Sequence, residues 1–182
     1  MTGSNILLII DVQERLAPAM ETADASLASI SRLVKGAAIL DVPVIISEHC
    51  AEKIGPTVPQ VVDACKTAPI IFSKNSFSCF ADFQITLGDR LPKNPVLAIA
   101  GMETHVCVLQ SALDFAEAGY QCMLAVDAVA SRKSIDREMA IATLQSRGIN
   151  PTTVETLFFF WMRTAKHPRF RDVLALIKET SR

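Results

Sequence analysis

The run Ile-Leu-Leu-Ile-Ile at positions 6–10 is the feature that most constrains the fold of this chain. It shows no alternation of polar and apolar residues, which is typical of a strand covered on both faces in a parallel sheet. Asp11 ends this first predicted strand. Further short apolar runs predict strands at residues 43–47, 68–73, 95–100 and 121–126, and a sixth strand is predicted at residues 154–157. Stretches with helical spacing separate the runs, so we predict an α/β fold with a mostly parallel sheet.

Length and composition predict one domain over residues 1–182. Half of the residues are hydrophobic and 20% are charged, which allows a sizeable core. The net charge of −1, without blocks of like charge, disfavours nucleic acid and anionic membranes as partners. No apolar run reaches the roughly 18 residues that span a bilayer. The first residues lack the features of a signal peptide, so we expect a cytoplasmic protein.

The five cysteines do not suggest disulfides, because their number is odd and no pair has the Cys-x-x-Cys spacing. Free cysteines are usually small, buried core residues. Only Cys107 follows a predicted strand and opens the next predicted helix. Cys122 begins a strand, which favours a core role, and Cys79 lies in a loop near Lys74.

Three side chains of different chemistry stand at the ends of three predicted strands. Ligands of parallel α/β sheets bind outside the carboxyl ends of the strands. Asp11, Lys74 and Cys107 occupy such positions, so we expect them to converge at one edge of the sheet. Taken singly, such an aspartate is usually a turn former and such a lysine a surface charge. The combination is far more specific.

This combination suits nucleophilic catalysis. A free thiol is only slightly ionised at neutral pH. We expect the start of the helix and the Lys74 ammonium to lower the pKa of Cys107. Asp11 can accept the thiol proton and later pass it to a leaving group. Backbone N–H groups at the turn between strand and helix can hold an oxyanion.

Three segments resemble those of a known family: Leu-Leu-Ile-Ile-Asp-Val-Gln at 7–13, Phe-Ser-Lys-Asn-Ser-Phe-Ser at 72–78, and Gly-Met-Glu-Thr-His-Val-Cys-Val at 101–108. Over nearly its whole length the chain resembles the isochorismatase-like cysteine hydrolases, which include nicotinamidases and N-carbamoylsarcosine amidohydrolase. It looks most similar to the small isochorismatase domain-containing proteins. We predict a three-layer Rossmann-like fold with six parallel strands in the order 3-2-1-4-5-6.

The resemblance implies a catalytic triad of Asp11, Lys74 and Cys107. Cys107 would attack a carbonyl carbon, and Asp11 would act first as a base and then as an acid. Lys74 would hold Asp11 and stabilise the thiolate. The resemblance also implies a cis peptide between Met102 and Glu103, and an oxyanion hole made by the backbone N–H groups of Glu103 and Cys107.

The chain departs from the nicotinamidases at their metal site, which uses an Asp-x-His arrangement after the second strand. Ser-Glu-His-Cys stands at 47–50 instead, and the chain has three histidines in all. A His-rich ligand set cannot be assembled from them. The sequence Asp-Val-Gln-Glu-Arg after the first strand is not a glycine-rich nucleotide loop. We therefore expect no metal and no cofactor.

Position alone nominates residues for a small-molecule substrate pocket: Glu48, His49, Phe77 and Met102, with Phe80 and Glu103 as further candidates. For the two phenylalanines, packing in the core or at an interface is an equally good interpretation. The Glu103 side chain could instead point to solvent or to a helix start. The apolar run at 157–162 is either core or an oligomer interface. Family members commonly form dimers and larger homo-oligomers, which favours the interface.

The predicted function is hydrolysis of a small amide or related C–N bond through a Cys107 thioester. The alternative is a non-catalytic interaction or regulatory protein on the same scaffold, because the substrate region has few distinguishing features. A third interpretation is a thiol that reacts with oxidants. It requires an exposed partner cysteine near Cys107, and only Cys79 qualifies by position.

Overall fold

Six parallel strands form the centre of the computed structural model, which describes residues 5–92 and 95–179. The strands are β1 (Asn5–Ile10), β2 (Val44–His49), β3 (Ile70–Lys74), β4 (Val96–Met102), β5 (Gln121–Ala130) and β6 (Asn150–Thr152). Their spatial order is β3-β2-β1-β4-β5-β6, and every neighbouring pair is parallel. The predicted fold class and strand order are therefore confirmed.

Helices cover both faces of the sheet. The described residues contain the α-helices α1 (Ala23–Ile39), α2 (Ala51–Ile54), α3 (Pro59–Val62), α4 (Phe80–Leu87), α5 (Leu109–Glu117), α6 (Ser134–Ser146), α7 (Val154–Met162) and α8 (Phe170–Lys178). A five-residue π-helical turn, Thr104–Val108, joins β4 to α5. We call it the nucleophile turn because it contains Cys107.

Alternate side chains of β1 belong to two separate apolar cores. Leu7 and Ile9 pack in the core that α1, α7 and α8 complete, whereas Leu8 and Ile10 pack in the core of α4, α5 and α6. All four side chains are fully buried. A strand covered on both faces has no solvent-facing positions, which is why the run contains no polar residue.

The predicted sixth strand at 154–157 is wrong. The sixth strand is β6, and residues 154–162 form the helix α7. Thr153 caps this helix with its hydroxyl, which accepts from the N–H of Thr156, and the Asp127 carboxylate accepts from the N–H of Val154. A capped start directs the run into a helix despite its β-branched and aromatic residues.

The apolar run at 157–162 packs mainly inside the protein. Leu157, Phe158, Trp161 and Met162 are buried against α1 and the sheet, while Phe159 is exposed. These buried positions share one side of the helix, as expected from its 3.6-residue period. The run is therefore largely core, and its burial does not support the oligomer interface predicted for it.

The contact between α1 and α7 depends on a missing side chain. A Cβ atom added to Gly36 would lie 2.0 Å from Cε1 of Phe158, whose ring is fully buried. We predict that Gly36→Ala lowers the free energy of unfolding by about 1–3 kcal/mol, because overpacking outweighs the better helix propensity of alanine. Urea unfolding measures this change.

Phe158→Leu tests the cause, because a smaller side chain makes room for the new methyl group. We expect Gly36→Ala to cost less in the Phe158→Leu background than in the native one, which a double-mutant cycle measures. If Gly36→Ala stabilises the protein, as helix propensity alone requires, the proposed clash is wrong.

Candidate active site

Asp11, Lys74 and Cys107 meet at the carboxyl edge of the sheet, as their positions predicted. Asp11 follows β1, Lys74 is the last residue of β3, and Cys107 lies in the nucleophile turn after β4. All three residues are buried, with Cys107 exposed over 6% of its surface. The strand β2 lies between β1 and β3, and its residue Ser47 contacts the Asp11 carboxylate.

The Asp11 carboxylate is held by one hydrogen bond and one ion pair. Its Oδ1 accepts from the Ser47 hydroxyl at 2.7 Å, and its Oδ2 lies 2.7 Å from the Nζ of Lys74. The Asp11 backbone has a positive φ of 52° and donates its N–H to the carbonyl oxygen of Ser47 at 3.1 Å. Aspartate tolerates this left-handed conformation better than most residues do. The backbone and the carboxylate are thus both tied to β2.

The Lys74 ammonium contacts three oxygens. It forms the ion pair with Asp11, and it donates hydrogen bonds to the carbonyl oxygens of Ser76 at 3.1 Å and Phe77 at 3.0 Å. An ammonium has three donors and no acceptor, so this arrangement suits the charged form. The buried charge is compensated by the Asp11 carboxylate, and the pair is electrically neutral as a unit.

The Cys107 thiol lies close enough to Asp11 and Lys74 for both charges to shift its pKa. Burial raises the pKa of this thiol to about 12, and the negative charge of Asp11 adds to the rise, while Lys74 opposes it. The expectation that the pKa of Cys107 would be lowered is therefore wrong. Lys74 acts in the expected direction, but its charge is paired and cannot offset desolvation. At neutral pH the resting residue is a thiol.

Close approach of β1 and β4 brings Asp11 and the nucleophile turn together. Gly101 pairs with Ile10 across these strands, and a Cβ atom on it would lie 2.1 Å from the Ile10 carbonyl oxygen. Its φ of 130° is also a conformation that favours glycine. One residue further along the chain, the peptide between Met102 and Glu103 is cis, at the position that the family resemblance implies.

Gln13 is a buried residue of the site region that was not predicted. Its side-chain NH₂ donates to the carbonyl oxygens of His49 at 3.1 Å and Gly55 at 2.6 Å, and its side-chain oxygen accepts from the His49 N–H at 2.8 Å. It therefore joins the chain after β1 to the end of β2 and to the loop at 50–58. Its position two residues beyond Asp11 was the available signal.

Glu48, a predicted pocket residue, instead holds the loop at 50–58. Its Oε1 accepts from the Thr57 N–H at 2.7 Å and from the Thr57 hydroxyl at 2.8 Å. Glu103 likewise turns away from a pocket role, because its Oε2 accepts from the Nε of Arg132 at 2.8 Å. Met102 is fully buried among the side chains of the α1–α7 core.

His49 and Phe77 remain together beside the triad. Their ring centroids lie 5.7 Å apart, and the Phe77 side chain is 53% exposed. The Nδ1 of His49 is buried without a hydrogen-bond partner. A buried polar atom without a partner carries a desolvation cost. These two rings are the predicted pocket residues with surface or bonding capacity to offer a ligand.

Phe80 and Cys79 are committed to packing. Phe80 makes edge-to-face contacts with Phe115 and Tyr120, at centroid distances of 5.1 and 6.4 Å. Cys79 is fully buried, donates its N–H to the Ser111 hydroxyl, and has its pKa raised to about 12 by burial. A thiol that reacts with oxidants requires an accessible partner, and Cys79 does not provide one.

Residues 5–92 and 95–179 contain no group of three or more His, Cys, Asp or Glu side chains placed to hold a metal ion. Within the same residues, no helix is both long and apolar enough to cross a membrane.

Comparison with known proteins identifies relatives over almost the whole chain. A family model for the isochorismatase domain matches residues 5–156. Isochorismatase domain-containing protein 2 of Rattus norvegicus is 36% identical over 177 residues, which cover 97% of this chain and 82% of that relative.

Solved structures share the fold. The structure of MAR1 ribonuclease from Caenorhabditis elegans superposes with a TM-score of 0.89 at 31% identity, covering 98% of this chain and 92% of that one. The YcaC gene product of Escherichia coli, described as an octameric hydrolase of unknown specificity, superposes with a TM-score of 0.81 and covers 98% and 94% of the two chains. At 21% identity, that second likeness shows the fold alone.

The bonds of Gln13 give a stability prediction. Gln13→Ala leaves the partly buried backbone groups of His49 and Gly55 without their partners, so we expect the free energy of unfolding to fall by about 1–3 kcal/mol. Gln145→Ala, at an exposed position of α6, is the matched control and should change it by less than about 0.5 kcal/mol. Equal effects of the two substitutions in urea unfolding would rule out the role assigned to Gln13.

The raised pKa of Cys107 predicts how its alkylation depends on pH. Thiolate is the reactive form, so the rate with iodoacetamide should still be rising at pH 10 in the native protein. Asp11→Asn removes the charge that raises this pKa, and the rate at pH 8 should increase, about tenfold for each unit by which the pKa falls. Mass spectrometry of peptides locates the adduct, with Cys50 as the internal reference.

A rate at Cys107 that reaches its plateau near pH 7 in the native protein would contradict the buried, protonated thiol. Slower alkylation in folded Asp11→Asn protein would also contradict it. That result would mean that Asp11 promotes ionisation of the resting Cys107 thiol instead of raising its pKa.

Proposed function

The chain belongs to the isochorismatase family of hydrolases, and on that premise we propose that it hydrolyses a small amide or related C–N bond through a thioester on Cys107. The observation that carries this proposal is the convergence of the buried Cys107 with the Asp11–Lys74 ion pair at the carboxyl edge of the sheet. A thiol, a carboxylate that can take its proton, and a fixed ammonium are the groups that nucleophilic acyl transfer requires.

In the first half of the proposed reaction, Asp11 takes the thiol proton as the Cys107 sulfur attacks the carbonyl carbon of the substrate. The carbonyl oxygen becomes an oxyanion, which the N–H groups of Glu103 and Cys107 would hold. Collapse of this intermediate breaks the C–N bond, and Asp11 gives its proton to the leaving nitrogen. An amine or ammonia departs, and the acyl group stays on sulfur.

In the second half, water attacks the thioester while Asp11 takes one of its protons. Collapse releases the carboxylic acid, and the proton returns from Asp11 to the sulfur of Cys107. Proton transfer coupled to attack suits a thiol whose resting pKa is raised, because forming a free thiolate before the attack would cost the whole free energy of deprotonation. The role of Lys74 is to keep Asp11 in place and to balance its charge through the cycle.

For the substrate pocket we propose His49 and Phe77. A flat acyl group can pack on the Phe77 ring, which leaves much of its surface exposed beside the His49 imidazole. The Nδ1 of His49 is buried without a partner, so it bonds a polar atom of that group only if the ring turns when the substrate binds. Aromatic and heteroaromatic amides are therefore the first substrates to test. The pocket roles predicted for Glu48 and Met102 are replaced by roles in the loop and the core.

The alternative, a non-catalytic protein on the same scaffold, has one observation in its favour: Cys107 is only 6% exposed. Such limited exposure of the nucleophile is compatible with a site for small substrates, and equally with a site that is closed. The homo-oligomer and the cytoplasmic location stay predictions from the sequence, which size-exclusion chromatography with light scattering and cell fractionation test.

A panel of aromatic carboxamides, ureido acids and short aliphatic amides, followed by release of ammonia or amine, tests the proposal. We expect turnover of at least one member, abolished by Cys107→Ala and reduced about 10²–10⁴-fold by Asp11→Asn. Cys122→Ala is the matched control, because this buried cysteine of β5 lies outside the triad, and it should leave turnover unchanged.

Hydrolysis that survives Cys107→Ala would contradict the proposal, and so would an inert panel combined with full folding of the protein. An RNA oligonucleotide belongs in the same panel, because one structural relative bears the name ribonuclease. Cleavage of that RNA, with no effect on the amides, would assign a different chemistry to the site.

A further inference from the structure

The nucleophile turn has polar side chains that the proposed reaction does not use. The Glu103 carbonyl oxygen accepts from the N–H groups of both Val106 and Val108, at 3.1 and 3.2 Å, which closes the turn around Cys107. Such π-helical turns are rare and are often found at functional sites. Their backbone geometry is less favourable than that of an α-helix, so contacts from outside have more influence on their shape.

His105 makes the outside contacts of this turn. Its Nδ1 lies 3.0 Å from the Ser131 hydroxyl, and its Nε2 lies 4.0 Å from Oδ2 of Asp136. Ser131 is 2% exposed, whereas the His105 side chain is 26% exposed. A carboxylate facing Nε2 favours a hydrogen on that nitrogen, which leaves Nδ1 to accept from Ser131.

The partner segment is itself fixed. Residues 131–136, which we call the β5–α6 junction, follow the strand that pairs with β4, where Ala130 stands opposite Met102. The Ser131 carbonyl oxygen accepts from the N–H of Glu21 at 3.2 Å, and the Glu21 carboxylate accepts from the Ser134 hydroxyl at 2.6 Å. The junction is therefore held at two points from a distant part of the chain.

We propose that His105 is a positioning residue: through its bond to Ser131 it ties the nucleophile turn to the β5–α6 junction and so sets where the Cys107 sulfur lies relative to Asp11 and Lys74. The Arg132 bond to Glu103 is a second tie between the same two segments. Loss of the His105 tie lets the turn shift by a fraction of an ångström, and displacements of about 1 Å can cost 10²-fold in rate.

The Ser131, His105 and Asp136 side chains do not form a second nucleophilic triad. The Ser131 hydroxyl is buried, and the 4.0 Å separation between His105 and Asp136 exceeds a hydrogen bond. The arrangement instead ties the nucleophile turn to the β5–α6 junction, with the Ser131 hydroxyl inside the protein and the His105 imidazole partly exposed.

Two matched substitutions separate the roles of Nδ1 and Nε2 of His105. His105→Asn places an oxygen near the position of Nδ1 and can keep the Ser131 bond, whereas His105→Gln reaches toward the position of Nε2 and loses it. We expect His105→Asn to behave like the native protein. His105→Gln, His105→Ala and Ser131→Ala should behave alike, and the double variant His105→Ala/Ser131→Ala should add nothing to either single one.

Two rates of the full-length protein are measured, and they should move in opposite directions. Alkylation of Cys107 by iodoacetamide should become faster, because a thiol that is only 6% exposed is uncovered as the turn loosens. Turnover of an amide from the panel should fall roughly 10- to 100-fold in kcat, with KM nearly unchanged. The alkylation rate does not depend on the proposed hydrolase activity, so it tests the tie even if no amide is a substrate.

His167→Ala is the control, because the Nδ1 of this histidine accepts from the backbone N–H of Arg169, but the residue lies before α8 and outside the site. It should change neither rate. The proposal is overturned if His105→Ala and Ser131→Ala leave Cys107 alkylation and kcat as in the native protein, even when urea unfolding shows lower stability. It is also overturned if their effects multiply in the double variant, or if His105→Asn is as impaired as His105→Gln.

Discussion

The ion pair between Asp11 and Lys74 is the interaction on which the site depends. Both side chains are inaccessible to solvent, and their charged atoms are 2.7 Å apart. Removing one partner of such a pair typically costs about 3–5 kcal/mol, because the other charge is left buried and unpaired. The pair spans β1 and β3 across β2, so its formation requires the parallel order of these three strands and the Ser47 hydroxyl between them.

Burial and the charges of this pair together determine the state of Cys107. Burial raises the pKa of the thiol most, and the negative charge of Asp11 adds to the rise and outweighs the opposing effect of Lys74. The proton of the resting residue therefore stays on the sulfur at neutral pH. This arrangement protects a buried cysteine from alkylation and oxidation, which act on the thiolate.

Much of the fold was accessible from the sequence because strands covered on both faces have no polar positions. The run at 6–10 and its counterparts predicted the parallel sheet, and the residues that follow them predicted which edge carries the site. The sixth strand was misplaced because Val-Glu-Thr-Leu at 154–157 is too short to show a strand or helix period, and its assignment to a helix depends on capping by Thr153 and Asp127. Short-range pattern does not contain the Asp127 contact, which joins residues 27 positions apart.

The site was predicted less completely than the fold. Asp11, Lys74 and Cys107 were found because each follows a strand, but the direction of the Cys107 pKa shift was missed, since it depends on burial and on net local charge. Glu48, Glu103 and Gln13 occupy equally suggestive positions, and only their hydrogen bonds show that they hold loops and turns. Position along a strand identifies candidate site residues. The hydrogen-bond partners of each side chain show whether it is available to a ligand or holds a loop or turn in place.

Detection of the acyl-enzyme is the most direct test of the central claim. Rapid mixing with an activated ester such as p-nitrophenyl acetate, followed by an acid quench and intact-mass measurement, should show one acetyl group per chain on Cys107. The adduct should form before steady state, decay as acetate is released, and be absent in Cys107→Ala protein. An adduct on another residue, or ester turnover with no adduct on Cys107, would contradict nucleophilic catalysis by this cysteine.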